Sequence, residues 1–168
     1  ALDQKQGLQL LCGTETLKEK ASPSYIGVRQ QHHHFSSSVT VEIQNLSEGK
    51  KAGIAYVQSN EYHLRVEADK EAAELILCQA GKDEILGKVG LSGESELEIQ
   101  MMIDGLEAQI EIINSKKEKL LTSGRIDIRA LSTEVAGGFV GCTVGMYAVS
   151  NHQTEDRACF KAFTYMEG

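Results

Sequence analysis

Polar and apolar residues alternate with a period of two along much of the chain. In residues 39–43, 97–103 and 110–112, an aliphatic side chain or Met occupies every second position, and Thr, Glu or Gln occupies most of the positions between. Successive residues of a strand point to opposite faces, so this pattern gives each strand one buried and one wet face. Strands of this kind are typical of antiparallel sheets.

Short turn signals separate these alternating runs. They are Ser47-Glu48-Gly49, Ser59-Asn60, Ala80-Gly81-Lys82-Asp83, Ser92-Gly93, Asp104-Gly105, Asn114-Ser115 and Ser123-Gly124. The clearest is Asp104-Gly105, which supplies the positive-φ positions of a tight hairpin. About a dozen strands at this spacing predict an all-β sandwich of two antiparallel sheets.

Two segments allow a helix as well as a strand. Residues 70–80 are rich in Ala, Glu and Leu, their apolar positions fall at helical spacing, and Gly81 stands where a C-cap would be. Helix propensity is a weak guide, so helix and strand are equally favoured there. For residues 116–119 a charged hairpin tip is the simpler interpretation than a short helix. No internal repeat or linker divides the chain, which predicts one domain.

The size and charge of the chain exclude several classes of protein. It has 168 residues, 17 basic against 24 acidic side chains, and a net charge of −7. Such a field repels phosphate backbones, so we expect no nucleic-acid partner. No apolar run approaches the roughly 20 residues of a membrane span, so we expect no membrane partner. The sequence leaves the oligomeric state open.

The four cysteines, Cys12, Cys78, Cys142 and Cys159, are widely separated and form no CxxC pair. Each lies in an apolar context, where a buried free thiol is the usual outcome. A reducing compartment, and therefore a cytoplasmic location, fits best. The chain begins with neither Met nor a signal pattern, so it looks processed or cut from something longer.

The motifs of common catalytic and metal sites are missing from the sequence. In a strand, His32 and His34 share a face while His33 points away, so at most two of this run could bind one ion, and a polar strand end is the favoured interpretation. We expect no metal and no cofactor; the sequence leaves calcium binding open, although nothing in it supports calcium. The acidic residues of the alternating runs are best interpreted as a solvated face; they include Glu42, Glu96, Glu98 and Glu111. We therefore expect no catalytic residue in this chain.

Two predicted strand segments carry many polar side chains, residues 29–32 and 62–65. Inward polar groups need hydrogen-bond partners. Two interpretations explain these polar side chains. They form either a hydrogen-bond network that braces the sandwich, or a binding groove or domain contact. The candidate residues are Arg29, Gln30, His32, Tyr62 and His63.

The glycine-rich segment 135–141 isolates one aromatic residue. Gly137, Gly138 and Gly141 leave Phe139 without bulky neighbours. Phe139 is then either a core plug beneath a loop or an exposed contact for a partner. Aromatics make up only 5% of the chain and Trp is absent, which weakens a self-sufficient lectin interpretation.

Four blocks of the sequence stand out, residues 23–32, 52–63, 131–141 and 158–165. Together they resemble the C-terminal β-sandwich of glycoside hydrolase family 43 β-xylosidases. The first, residues 23–32, is similar to the family pattern Ser-Phe-(Ile/Leu)-x-Arg-Arg-Gln-Gln-His, and the second, residues 52–63, to an Ala-Gly-Leu strand followed by Asn-x-Tyr-His. Residues 131–141 resemble a third block and residues 158–165 a closing strand. The blocks occur in family order and cover nearly the whole chain.

This resemblance implies a concanavalin A-like jelly roll of two antiparallel sheets. It implies one domain over residues 1–168, with a leading segment (1–20) packed on the jelly roll (21–168). In the family, catalysis belongs to an N-terminal propeller, which would be the partner of this domain, and a loop of the sandwich places an aromatic residue at the rim of the sugar pocket. Phe139, beside Gly138, matches that loop.

Two departures from the family pattern concern contacts. Val28 stands where the first of two arginines is usual, and Lys161-Ala162 stands where Asp-Trp is common. The expected function is a non-catalytic accessory domain of an enzyme that acts on xylo- or arabino-oligosaccharides. An independent carbohydrate-binding module is the first alternative. A jelly-roll glucanase, which needs two convergent carboxylates, is the second.

Overall fold

A computed structural model describes residues 2–3, 7–11, 24–44, 46, 50–59, 61–91, 93–131, 142–150 and 157–167 of the chain. Within these ranges the backbone forms fourteen β-strands and one 3₁₀ turn, Arg129–Leu131. The described part of the chain contains no helix with the length and apolar character that a membrane crossing requires. The prediction of an all-β fold is confirmed.

The strands follow one another at short intervals, as the turn signals predicted. In chain order they are β1 (Leu2–Asp3), β2 (Gly7–Leu11), β3 (Ser24–Arg29), β4 (His34–Glu42), β5 (Lys50–Ser59), β6 (Tyr62–Ala68), β7 (Ala72–Gln79), β8 (Lys82–Gly90), β9 (Glu96–Asp104), β10 (Glu107–Asn114), β11 (Lys119–Thr122), β12 (Ile126–Asp127), β13 (Thr143–Ser150) and β14 (Arg157–Glu167).

These strands form two sheets. Among the described residues, the first sheet has eight strands in the order β1-β2-β14-β4-β9-β10-β11, with β12 also paired to β10. The second has six, in the order β3-β13-β5-β6-β7-β8. The paired strands are antiparallel, in agreement with their alternating sequences.

The hydrophobic core lies between the sheets. From the eight-stranded sheet it takes every second residue of β4 and β9, such as Val39 and Ile99, which are direct cross-strand partners. From the six-stranded sheet it takes residues such as Ile54 and Leu64. The opposite, outer face of the six-stranded sheet carries a small apolar cluster of its own, built on Ala55, Tyr147 and Val149.

Residues 70–80, for which helix and strand were equally favoured, contain strand β7 (Ala72–Gln79) and no helix. Each residue from Ala73 to Cys78 pairs with β6 on one side, and β8 pairs on the other. Leu75 and Leu77 enter the core, while Ile76 is buried on the outer face. Burial on both faces removes the period-two signal, so the sequence looked helical.

Two predicted tight turns are present, each centred slightly differently from its sequence signal. Gly105 and Leu106 connect β9 to β10, with Gly105 at φ +62° and Asp104 already paired in the strand. Ala80 and Gly81, at φ 53° and 78°, connect β7 to β8, which leaves Asp83 inside β8.

Lys116 and Lys117 lie in the turn between β10 and β11, as the hairpin-tip interpretation predicted.

The prediction that residues 29–32 lie in a strand is wrong for residues 30–32. β3 ends at Arg29, and residues 30–33 form the connection that carries the chain from the six-stranded sheet to β4 in the other sheet. A change of sheet cannot be made within one straight strand, so the polar side chains after Arg29 face an end of the sandwich rather than one of its layers.

Acidic residues of the alternating runs lie on the outer face of the eight-stranded sheet, where cations bridge them. Lys161 Nζ lies 2.6 Å from Glu96 Oε2 and 3.7 Å from Glu42 Oε1. The hydrogen bond to Glu96 raises the pKa of Lys161. Glu98 and Glu111 face Lys117 and Lys119 at 3.6 and 3.4 Å.

Candidate functional site

One end of the sandwich opens into a cavity of about 370 Å³. The connection after β3, the end of β5, the β9–β10 turn and the 3₁₀ turn surround it. Its lining residues are Gln30, Gln31, His32, His33, Tyr56, Gln58, Gly105, Leu106, Ile128, Leu131 and Cys142. We call this the end cavity.

Hydrogen bonds fix the polar side of the end cavity. Tyr56 donates through its hydroxyl to Gln30 Oε1 at 2.6 Å, and Gln30 Nε2 donates to the His32 carbonyl at 2.8 Å. The Gln30 backbone N–H donates to the Cys142 carbonyl at 2.8 Å. Gln30 is therefore held by the Tyr56 hydroxyl and by the backbone carbonyls of His32 and Cys142.

The three consecutive histidines have different partners. His32 lies between Tyr165 and Glu167 of β14: its Nδ1 is 3.2 Å from the Tyr165 hydroxyl and its Nε2 is 2.6 Å from Glu167 Oε2. His34 pairs with Asp104, and His33 lines the end cavity. The run thus holds the connection against the ends of neighbouring strands.

Two hydrogen-bonding groups of the end cavity, the Tyr56 hydroxyl and the Cys142 thiol, keep their protons. Burial, with Cys142 nearby, raises the pKa of Tyr56 far above its usual value of 10, so its hydroxyl remains a donor. Burial also raises the pKa of Cys142, which keeps the thiol protonated and a poor nucleophile. The described lining contains amides, hydroxyl and imidazole but neither Asp nor Glu. Such a set can orient a polar group, whereas two-carboxylate hydrolysis needs other residues.

A second group of residues, polar except for Val57, forms a row across the outer face of the six-stranded sheet. Direct cross-strand partners join Arg29 to Thr143, Val57, His63, Cys78 and Asp83 in that order. The row runs along the same end of the sheet as the end cavity, because Tyr56 and Gln58 flank Val57 in β5. Two predicted candidates, Arg29 and His63, therefore share one face.

Arg65, one position further along that face, binds four side-chain acceptors. Its Nε donates to Glu67 Oε1 at 3.0 Å, and its Nη2 and Nη1 reach the two oxygens of Asp83 at 3.0 and 3.3 Å. Nη1 also lies 2.8 Å from His63 Nε2. Burial acts to lower the pKa of the Arg65 guanidinium, but the hydrogen bonds to Asp83 and the charge of Glu67 outweigh it and raise that pKa. Because a guanidinium only donates, His63 Nε2 must accept this bond.

The remaining predicted candidates divide between the described and the undescribed parts of the chain. Tyr62 begins β6 and packs partly buried against the core. Phe139 and Gly138 lie outside the described residues. Leu131 and Cys142, the described residues on either side of that segment, both line the end cavity.

Several residues of these sites escaped sequence reasoning. Tyr56, Gln58 and Leu106 join the end cavity only through the meeting of separate connections. Asp83 looked like a turn residue, and its place beside Cys78 depends on the strand register. The polar side chains at residues 63, 65 and 67 did carry a signal, since they alternate with apolar residues on one strand.

Comparison with known proteins shows which family has this architecture. The model of the β-xylosidase C-terminal concanavalin A-like domain matches residues 1–166. The chain belongs to this family. Its two antiparallel sheets are the concanavalin A-like sandwich that the resemblance implied, and the chain is the C-terminal domain of glycoside hydrolase family 43 xylosidase-like proteins.

Curated relatives of this C-terminal domain are longer proteins. A xylosidase/arabinosidase from Butyrivibrio fibrisolvens is 32% identical over 173 residues, which cover 95% of this chain and 32% of the relative. A non-reducing-end α-L-arabinofuranosidase from Bacteroides ovatus is 26% identical over 156 residues, 91% of this chain and 30% of the relative. The chain thus spans about a third of the length of these relatives.

A solved structure has the same fold. The crystal structure of a xylan β-1,4-xylosidase from Bacillus halodurans C-125 superimposes with a TM-score of 0.86 at 24% identity, over 95% of this chain and 32% of that chain. There too the matching sandwich is about one third of a longer chain.

Proposed function

We propose that this C-terminal domain is a non-catalytic accessory sandwich that packs on a glycoside hydrolase family 43 catalytic domain of the same protein. In this proposal the end-cavity side of the sandwich faces the catalytic domain. It completes the rim of a pocket for the terminal sugar of a xylo- or arabino-oligosaccharide, and Phe139 is the rim residue.

The observation that carries the proposal is the convergence of candidates at one end of the sandwich. Gln30 and His32 line the end cavity, as do Leu131 and Cys142 on either side of residues 132–141, which contain Phe139. Exposed Leu106 adds an apolar contact at the same place, with 49% of its surface open to solvent. A partner docked there would meet a firmly held polar surface and an apolar anchor, the usual composition of a domain interface.

The chemistry of the described lining supports binding and shaping rather than bond cleavage. Its tyrosine and glutamine side chains are already engaged with one another, and its thiol is held protonated. On the outer face, the convergent carboxylates Glu67 and Asp83 are joined through Arg65. This is the arrangement of a structural ion-pair network, whereas glycosidase carboxylates lie on either side of a bound sugar.

The kinetic test uses Phe139→Ala in the longer protein that carries this domain. Loss of a rim contact should weaken binding of the ground state and the transition state alike, so KM should rise while kcat changes little. Steady-state kinetics on an aryl β-xyloside and an aryl α-arabinofuranoside measure both constants. Unchanged kcat and KM for both substrates would remove Phe139 from the rim.

Ile85→Ala is the matched control. Ile85 is an apolar residue on β8, 59% exposed and absent from the end cavity, so its truncation should leave both constants unchanged. The 168-residue chain alone should hydrolyse neither substrate, and calorimetry with xylo- and arabino-oligosaccharides should show no heat. Measurable heat with the isolated chain would favour an independent carbohydrate-binding module.

A further inference from the structure

Three potential metal ligands lie side by side on the outer face of the six-stranded sheet. His63 on β6, Cys78 on β7 and Asp83 on β8 are direct cross-strand partners, so their side chains form one short row. The ligand atoms of the three all lie within 4.8 Å of one another. Imidazole, thiol and carboxylate together are the donor types of zinc sites.

The hydrogen bonds of Arg65 show that this row surrounds a position suited to a cation. Arg65 Nη1 donates both to His63 Nε2 at 2.8 Å and to Asp83 Oδ1 at 3.3 Å. The imidazole lone pair and the carboxylate therefore point at the same positively charged group. Cys78 Sγ, which donates to the Glu61 carbonyl at 3.5 Å, lies beside them.

Burial and access at the row suit an ion that enters from solvent. The side chains of His63 and Cys78 are buried, which keeps water from competing for them. The Asp83 side chain is 32% exposed, and it opens the row to solvent on the β8 side. Glu67 binds the Nε of Arg65 and can retain that side chain if its other contacts are given up.

We propose that His63, Cys78 and Asp83 form a zinc-binding site, which the Arg65 guanidinium fills when no metal is bound. Zn²⁺ takes the imidazole nitrogen, the thiolate and a carboxylate oxygen, and a water molecule completes four-coordination. Cys78 releases its thiol proton to solvent as the Zn–S bond forms. Arg65 gives up its bonds to His63 and Asp83 and keeps its pair with Glu67. The site is separate from the end cavity, and it joins three adjacent strands, β6, β7 and β8.

The direct test uses Co²⁺ as a spectroscopic substitute for Zn²⁺ on the reduced 168-residue chain. Binding through Cys78 should produce a thiolate-to-cobalt charge-transfer band that saturates at one ion per chain and disappears when Zn²⁺ is added. Absence of this band in the wild-type chain overturns the proposal.

Two cysteine variants separate this site from other thiols. Cys78→Ser should abolish the band. Cys159→Ser, which removes another thiol, on β14, should leave it intact. A band that survives in Cys78→Ser comes from another thiol and overturns the proposal. If Cys78→Ser does not fold, Asp83→Asn replaces it: loss of one ligand should weaken Co²⁺ binding by about tenfold or more, and unchanged affinity overturns the proposal.

Arg65→Met tests the competition between guanidinium and metal. Without the guanidinium, Zn²⁺ is the remaining cation for the row, so the affinity for Zn²⁺ should rise above that of the wild type. The melting temperature of this variant should also rise on addition of ZnCl₂ and fall again with a chelator. Equal or weaker Zn²⁺ affinity in a folded Arg65→Met chain contradicts the assignment of Arg65 as the competing cation.

Discussion

Buried and exposed ion pairs in this domain differ in what they contribute to stability. Arg65 and Glu67 are each only 9% exposed, and Arg65 also binds Asp83 and His63. Lys161, by contrast, is 49% exposed while it bridges Glu42 and Glu96. Removal of a buried partner leaves a charge that is cut off from water, whereas an exposed charge is resolvated.

Arg65→Met should therefore lower the free energy of unfolding by about 3–5 kcal/mol, because Glu67 and Asp83 lose their shared cation. Lys161→Met is the matched control and should cost about 1 kcal/mol or less. Urea unfolding in the presence of a chelator measures both. Equal losses for the two variants would mean that the buried network adds nothing beyond a surface pair.

Tyr25 provides a pH-dependent contribution to stability. Burial raises its pKa from 10.0 to about 12, although the hydrogen bond with Thr143 acts in the opposite direction. A group whose folded pKa is raised stabilises the fold fully below its unfolded pKa and loses that contribution as pH rises to the folded value. The stability from Tyr25 should thus be present below pH 10 and be lost between pH 10 and about 12.

Tyr25→Phe should flatten the decline of stability over that alkaline range, by at most about 3 kcal/mol relative to the wild type. At neutral pH the variant should be less stable by about 1 kcal/mol, since the bond to Thr143 is gone. Unfolding measured at a series of pH values gives both quantities. An unchanged slope above pH 10 would show that Tyr25 does not titrate as a buried phenol.

At the scale of elements, a close approach of backbones sets β5 against β6. A Cβ placed on Gly53 would lie 1.8 Å from the Val66 carbonyl oxygen, so only glycine fits this position without a shift of the neighbouring strand. Gly53 pairs with Glu67, and displacement there would also disturb the Arg65 network. The second sequence block, which begins with Ala52-Gly53, thus has a steric basis.

Gly53→Ala should destabilise the domain by about 1–3 kcal/mol, the usual cost of overpacking. Gly90→Ala is the control in another strand: a Cβ there meets no atom within 4 Å, so the change should be neutral or slightly stabilising. Thermal unfolding of the two variants compares them directly. A Gly53→Ala chain as stable as Gly90→Ala would contradict the close contact.

The strands were predictable wherever one face of the sheet is wet. Alternation in residues 97–103 predicted β9, because Leu97 and Ile99 enter the core while Glu98 stays outside. The sequence did not distinguish helix from strand in β7, which is buried on both faces. It also did not predict the connection at residues 30–33, where the chain changes sheets. In both places the outcome depends on tertiary neighbours that no local pattern encodes.

The candidate site was only partly predictable for the same reason. Gln30 and His32 stood out as polar residues, and both line the end cavity. Tyr56, Leu106 and Cys142 reach that cavity from distant parts of the chain, and the row His63–Cys78–Asp83 follows from strand register. Family resemblance supplied the domain's identity, which spacing alone did not reveal.

At the scale of the whole molecule, two surfaces of the sandwich that carry exposed apolar residues differ in composition. The end cavity combines polar groups held by hydrogen bonds with exposed Leu106. The β8 edge carries an exposed apolar residue as well, Ile85, but lies at the far side of the six-stranded sheet. A catalytic domain that docks at the end cavity should sense changes at Leu106 and ignore those at Ile85.

Binding between the 168-residue chain and the separately produced catalytic domain of the longer protein proposed above tests this account most directly. We predict a one-to-one complex by calorimetry, weakened at least tenfold by Leu106→Glu, which places a charge in the interface, and unaffected by Ile85→Glu. Absence of any complex, or a complex that is lost with Ile85→Glu and kept with Leu106→Glu, would contradict it.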